Sequence, residues 1–292
     1  MIRSTHVRHF CKRQGHVIAT AAFHVSTCRS LISNTWSSSA RIFIFISSII
    51  SLQLIKPTDA RAQLGASATV ESQYNVRGVS LNDAKPDIRF GLTYDHASGA
   101  YGGLSGILGD TARNGVQPLG YIAYLGFAKP LPNGWIWDVG ATNTQITLYI
   151  PASTLLRSPQ NTTYKQASTE RYRADYSEFY SGVSVHDISA RVYISPDYLN
   201  QGVSTAYLDL NAAYRPIPQL RLYGHAGALT PLDSSKGAES DREHFDLGAG
   251  AVWELHHAEL RLAWTGVTSK VEYPINFRQK NNALILSATG FF

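Results

Sequence analysis

From residue 65 onward, apolar and polar residues alternate with period two, the spacing that sends successive side chains to opposite faces of a strand. The alternation predicts twelve strands, near 65–79, 87–95, 100–108, 118–128, 134–149, 173–185, 188–195, 203–214, 219–228, 243–255, 258–267 and 282–292. It is clearest at Ile88/Phe90/Leu92/Tyr94, Ala206/Leu208/Leu210/Ala212/Tyr214 and Ala258/Leu260/Leu262/Trp264. The last strand ends the chain on Phe292. A terminal strand has no later element to pair with unless the sheet closes on its first strand. Closure is also what lets a sheet cross lipid with every backbone group bonded. The expected fold is all-β, a single antiparallel transmembrane β-barrel of about twelve strands.

The connections support this. Those at 80–86, 109–117, 150–172, 196–202, 229–242 and 268–281 are long, while 96–99, 129–133, His186-Asp187, 215–218 and His256-His257 are short. Long and short ends alternate as in outer-membrane barrels, with short periplasmic turns and longer outer loops. Aromatic residues sit where the apolar face would meet the two interfaces. Tyr94, Phe127, Trp135, Tyr214, Trp253 and Phe292 fall at one rim, and Tyr74, Tyr121, Phe245 and Trp264 at the other. A soluble sandwich would concentrate such residues in mid-strand.

Residues 1–62 read differently. Six basic residues and no acid precede residue 42, and Ile42–Ile55 is apolar. Ala60-Arg61-Ala62 then offers a small-x-small cleavage site. The apolar run falls short of the ~20 residues a spanning helix needs, and the pattern is that of a secretory signal. Such signals usually run ~15–30 residues, so an internal start, for instance at Leu31, would account for the length. The domains expected are a signal sequence over 1–62 and a barrel over 63–292.

Removing the leader changes the charge. The 26 basic and 21 acidic residues divide as 8 and 1 in 1–62 and as 18 and 20 in 63–292, a net charge of −2. The basic pI belongs to the leader, so no nucleic-acid partner is indicated. Both cysteines, Cys11 and Cys28, lie there too, leaving no disulfide framework and no thiol chemistry.

The second face of the strands is polar. It presents Glu71, Arg89, Asp138, Glu178, Arg191, Asp209, Arg221, Asp246 and Arg261, one per strand, and from Glu178 onward the sign alternates. These nine are the candidate pore-lining residues, with cross-strand pairs of opposite charge expected among them. Catalysis has weak support. His225 lies between strands carrying Asp209 and Asp246, and Ser184 and Ser189 are two strands or more away. His256 and His257 share a short turn in which adjacent side chains should diverge, and Gly248-Ala249-Gly250 opens no helix. No enzyme activity, metal or cofactor is expected.

Tyr74-Asn-Val-Arg-Gly-Val-Ser80, Asp83-Ala-Lys-Pro86 and His96-Ala-Ser-Gly-Ala-Tyr-Gly-Gly103 resemble the opening of the TorF family of porin-like proteins, the Gcw_chp family of proteobacteria. Asp175-Tyr-Ser-Glu-Phe-Tyr180, Ser195-Pro-Asp-Tyr198, Ala206-Tyr-Leu-Asp209 and the Phe ending resemble its later blocks. The resemblance spans 66–292 and implies an outer-membrane barrel more firmly than any substrate. The function expected is passive passage of small polar solutes or ions, with outer-membrane lipid around the wall. The alternatives are a plugged barrel acting as a structural or interaction platform, and a barrel hydrolase. About twelve strands lie between ~8, whose interior side chains fill, and ~16, which leave a channel.

Overall fold

The structure is a computed structural model and describes residues 62–82, 84–111, 115–151, 169–200, 202–232, 243–268 and 282–292. The signal sequence expected over 1–62 lies almost wholly outside the described residues, as does most of the 150–172 loop. The strands are β1 (Ala62–Glu71), β2 (Asn75–Val76), β3 (Val79–Ser80), β4 (Asp87–His96), β5 (Ala100–Thr111), β6 (Gly115–Pro130) and β7 (Ile136–Pro151). They continue as β8 (Thr169–Val185), β9 (Ile188–Ser195), β10 (Thr205–Ile217), β11 (Leu220–Pro231), β12 (His244–Glu254), β13 (Ala258–Val267) and β14 (Asn282–Phe291).

All but β2 and β3 form one closed antiparallel barrel of twelve strands. The terminal strand closes on the first, with Thr69 opposite Thr289 and Glu71 opposite Ser287. The Phe292 N–H donates to the Ala66 carbonyl at 2.9 Å, and Ala66 N–H donates back at 3.2 Å. The aromatic end of the chain is therefore part of the seam. Each strand alternates a face turned outward with one turned inward. Leu210, for example, is 42% exposed while its neighbour Asp209 is 8% exposed. Leu92, Leu104, Leu125, Leu262, Leu286 and many others are exposed on the outer wall. So are Tyr94, Trp135, Trp253 and Phe292 near one end, and Tyr121, Phe245 and Trp264 toward the other. A closed wall with an apolar exterior bounded by aromatics is the solution for a sheet in lipid. The wall is that of a membrane-spanning β-barrel.

Five connections at one end are tight, and both ends of the barrel segment lie with them; this is called here the turn end. The opposite, loop end departs from expectation in two places. The connection expected at 109–117 shrinks to 112–114 because β5 and β6 pair on to Thr111 and Gly115. More consequentially, β1 stops at Glu71 rather than 79. Tyr74, expected on the outer rim, is 2% exposed and packs inside.

Candidate functional site

The segment that should have extended β1 turns back into the barrel as a hairpin. β2 pairs with β3 through Asn75–Ser80 and Val76–Val79. Arg77 and Gly78 form the two-residue turn, with φ of 50° and 78°. Positive φ at both central positions is the turn that matches strand twist, and it favours glycine second. Here glycine is needed for space as well. A Cβ on Gly78 would strike the Val267 side chain and crowd Asp246. The tip therefore lies against β13 and β12, two and three strands round the wall from β1.

Arg77 fixes the tip to the other side of the wall. Its Nη2 donates to both oxygens of Glu178 on β8, at 2.7 and 2.9 Å. Its guanidinium lies 3.9 Å from the Tyr207 ring centre, 5.1 Å from Tyr198 and 5.8 Å from Tyr193. Cation–π contact is strongest where water is excluded, and Tyr193, Tyr198 and Tyr207 are all buried. Asn75 Nδ2 donates to Thr265 Oγ1 on β13 at 3.3 Å. Burial opposes the Arg77 charge, but Glu178 and the surrounding tyrosines outweigh it and hold its pKa above the ordinary value.

Around the hairpin the lumen is packed rather than open. Tyr74 joins Ile107, Leu119, Ile146, Tyr176, Tyr180 and Leu229 in one buried cluster. The 3-10 turn Tyr198–Asn200 adds Tyr198, edge-on to Tyr176 at 4.9 Å. Between the hairpin and the turn end lies a cavity of about 390 Å³. Its lining reaches from Arg77 and Gly78 to His186 and Asp187 in the β8–β9 turn.

Of the nine polar-face candidates, Glu71, Arg89, Glu178, Asp209, Arg221, Asp246 and Arg261 line this cavity. Asp138 and Arg191 do not; they are bound to each other in the wall. The expected ladder of neighbouring ion pairs is replaced by another set. Arg89 donates to Glu71 at 2.7 Å, but Glu178 takes Arg77. Arg191 stands opposite Asp209 in register yet reaches back two strands to Asp138. Asp138 also accepts from Tyr101 at 2.5 Å, and Tyr101 and Tyr180 share a hydrogen bond of 2.6 Å. Arg221 faces Val252 in register, not an acid, and pairs with Glu254 and Glu259 near the turn end. Long guanidinium arms and strand stagger decide these pairs, so one charge per strand does not specify them.

His225 is gathered with both acids that flank it. Its Nε2 is 2.7 Å from Asp246 Oδ1, and its Nδ1 is 3.2 Å from Asp209 Oδ1 and 3.0 Å from Asn211 Oδ1. Tyr207 Oη lies 3.1 Å from Asp246 Oδ2, in space left by Gly227, where a Cβ would collide with both. Among the described residues, no group of three or more His, Cys, Asp or Glu is arranged to hold a metal ion. His256 and His257 do not diverge as expected; their rings meet edge to face at 4.2 Å. Arg77, Arg215, Glu254 and Glu259 are the cavity and turn-end residues that strand periodicity missed. The available signal for Arg77 was the Arg-Gly pair between Val76 and Val79, a two-residue hairpin pattern.

With this geometry in hand, comparison with known proteins places the chain. Residues 57–280 match Gcw_chp, described as a bacterial protein of unknown function. The chain belongs to the Gcw_chp family. The match supports that family and not the name TorF. No curated protein matches the chain. Solved barrels resemble it only distantly. The NanC porin is 7% identical with TM-score 0.49, covering 78% of this chain and 99% of that one. The translocator domain of autotransporter NalP from Neisseria meningitidis is 11% identical with TM-score 0.39, covering 87% and 96%. The P. putida toluene transporter TodX is 9% identical with TM-score 0.40, covering 80% and 91%. Likeness this remote says nothing of what the Gcw_chp barrel carries.

Proposed function

We propose that this Gcw_chp barrel is a non-enzymatic outer-membrane channel that passes small polar solutes or ions through a lumen narrowed by its own β2–β3 hairpin. The observation that carries this is the pairing of a cavity of about 390 Å³, lined in part by charged side chains, with a constricting hairpin that lies outside the wall's hydrogen-bond ladder. Glu71, Arg89, Glu178, Asp209, Arg221, Asp246 and Arg261 are the proposed pore-lining residues. Asp138 and Arg191, also named from sequence, serve the wall on this reading. The loop end faces outward and the turn end the periplasm, following the usual asymmetry of such barrels.

A specific observation favours a second reading. The hairpin is tied to β8 through Arg77 and to β13 through Asn75, and the packed tyrosines leave little space beside it. A plugged barrel uses those ties permanently. Single-channel recording in a planar bilayer separates the two. The channel reading expects small, steady conductance in the native protein and larger steps in Arg77→Ala. A silent native protein that conducts only after Arg77→Ala establishes the plug.

A further inference from the structure

Arg77 is the one charged side chain of the β2–β3 hairpin. The groups that receive it belong to the wall and its turns: Glu178 on β8, Tyr193 on β9, Tyr198 in the 3-10 turn and Tyr207 on β10. All four are buried. Among the described residues, Arg77 is the one cation at ion-pair distance from Glu178. A carboxylate at that depth needs a cation, because an uncompensated buried charge is costly.

The cage keeps its shape through contacts that do not involve the hairpin. Tyr207 Oη lies 3.1 Å from Asp246 Oδ2 and 3.2 Å from His225 Nε2. Tyr193 packs between Tyr180 at 5.3 Å and Tyr207 at 6.2 Å, and Tyr198 sits edge-on to Tyr176 at 4.9 Å. Removing Arg77 therefore leaves a formed site, one buried carboxylate faced by three rings. The occupant itself is incompletely held. Arg77 Nη1 and Asn75 Oδ1 are buried without a partner among the described residues, and the backbone ladder of the hairpin joins only β2 and β3. Glu178, Tyr193 and Tyr207 also line the cavity beneath, so a solute there meets the groups that hold Arg77.

We propose that this cage is a binding site for a small guanidinium-bearing solute and that Arg77 is its tethered occupant. The solute takes the Glu178 carboxylate, Arg77 gives it up, and the hairpin leaves the lumen. The occupant defines the class. A planar guanidinium packs on an aromatic face and is more weakly hydrated than an ammonium, so it enters a dry aromatic site at lower cost. Arg77 shows such a contact, 3.9 Å over the Tyr207 ring centre. A neutral solute leaves Glu178 unpaired, and an anion meets it with like charge. The proposal rests on the channel reading for the solute's passage, but occupancy of the cage is measurable without transport.

The test uses ethylguanidinium, with ethylurea as its neutral counterpart, on the full barrel in detergent. Saturation-transfer NMR on Arg77→Ala gives the Kd of the emptied cage; Arg77→Gln takes its place where heat-modifiable mobility on gels shows Arg77→Ala unfolded. Ethylurea on the same variant, and ethylguanidinium on Arg77→Ala/Glu178→Gln, should each bind at least about tenfold more weakly, as expected when a charge-assisted bond is lost. Displacement is then read with Arg77 in place. Ethylguanidinium at about ten times that Kd should speed thiol labelling of Val79→Cys about elevenfold, the ratio that binding to the open state alone imposes. Ethylurea should leave the rate unchanged. Ethylurea binding as tightly as ethylguanidinium, or full affinity in the Glu178→Gln double variant, overturns the site. A labelling rate that ethylguanidinium does not raise overturns the tethered occupant, even where the emptied cage binds. A barrel that never conducts yet is opened in this way refutes the channel and leaves the site standing. A conducting barrel in which neither binding nor labelling responds refutes the site alone.

Discussion

Glu178→Gln isolates the link between hairpin and wall. Glu178 and Arg77 are 5% and 11% exposed, and two hydrogen bonds join them. Glutamine keeps an acceptor oxygen but removes the charge. Breaking a buried pair by removing one partner costs ~3–5 kcal/mol, because the remaining charge is left uncompensated. In a rigid core that cost would fall on global stability. Here the backbone ladder of β2 and β3 joins only these two strands, so Arg77 can regain water by leaving with its hairpin while the wall stays intact. At ~1.4 kcal/mol per tenfold change, the open state should gain about a hundred- to a few thousandfold. Tyr74 and Val79, each 2% exposed, oppose opening by roughly 1.5–3 kcal/mol apiece, which keeps the native hairpin docked. Val79→Cys reports the motion, since the barrel segment has no native cysteine. Its reaction with a thiol reagent should be slow in an otherwise native background and faster by about the same factor when Glu178→Gln is added. An unchanged rate would refute the view that the pair docks the hairpin. Loss of folded mobility on gels, without faster labelling of the folded fraction, would show instead that the pair serves the wall.

Three further outcomes test the wall and its orientation. Leu210→Arg, on the exposed outer face, should cost ~2–4 kcal/mol if it meets the bilayer midplane, whereas Asp209→Asn next to it should cost less; denaturant unfolding in lipid gives the order. On intact cells an impermeant thiol reagent should reach Glu243→Cys at the loop end but not Asn133→Cys in a turn, and the reverse pattern would invert the topology. Edman sequencing of the protein extracted from membranes should begin at or near Gln63, and recovery of residues before 55 would remove the proposed signal.

The wall was legible because its rule is local. A strand in a closed membrane sheet must alternate, so Ile88/Phe90/Leu92 or Leu260/Leu262/Trp264 announce both strand and face within a few residues. β4, β9, β13 and β14 accordingly fall within a residue of where alternation puts them. β1 fails for the same reason. Val70, Tyr74 and Val76 continue an even-numbered apolar face past Glu71, and only the Arg77-Gly78 pair separates, locally, a longer strand from a strand followed by an inward hairpin. What decides is distant. Glu178, Tyr193, Tyr198 and Tyr207 hold a place for Arg77 more than a hundred residues later in the chain.

The charges inside follow the same division. Inwardness is a property of one strand, and the nine residues chosen for it share one face by alternation alone. Partnership belongs to several strands at once. Arg191 has Asp209 directly across from it, yet Asp138 is the better partner because Tyr101 already donates to that carboxylate and Tyr180 closes the group. An acid that must be buried is least costly where the most donors converge. Asp209 is then left to His225 and Asn211, and Arg221 to the glutamates of the turn end. The consequence is functional as well as structural. Charges locked in this way cannot greet a solute, so removing Arg191 should disturb the wall more than selectivity. Arg261 is held by a tyrosine instead of an acid, so on the channel reading its removal should change selectivity more than it disturbs the wall.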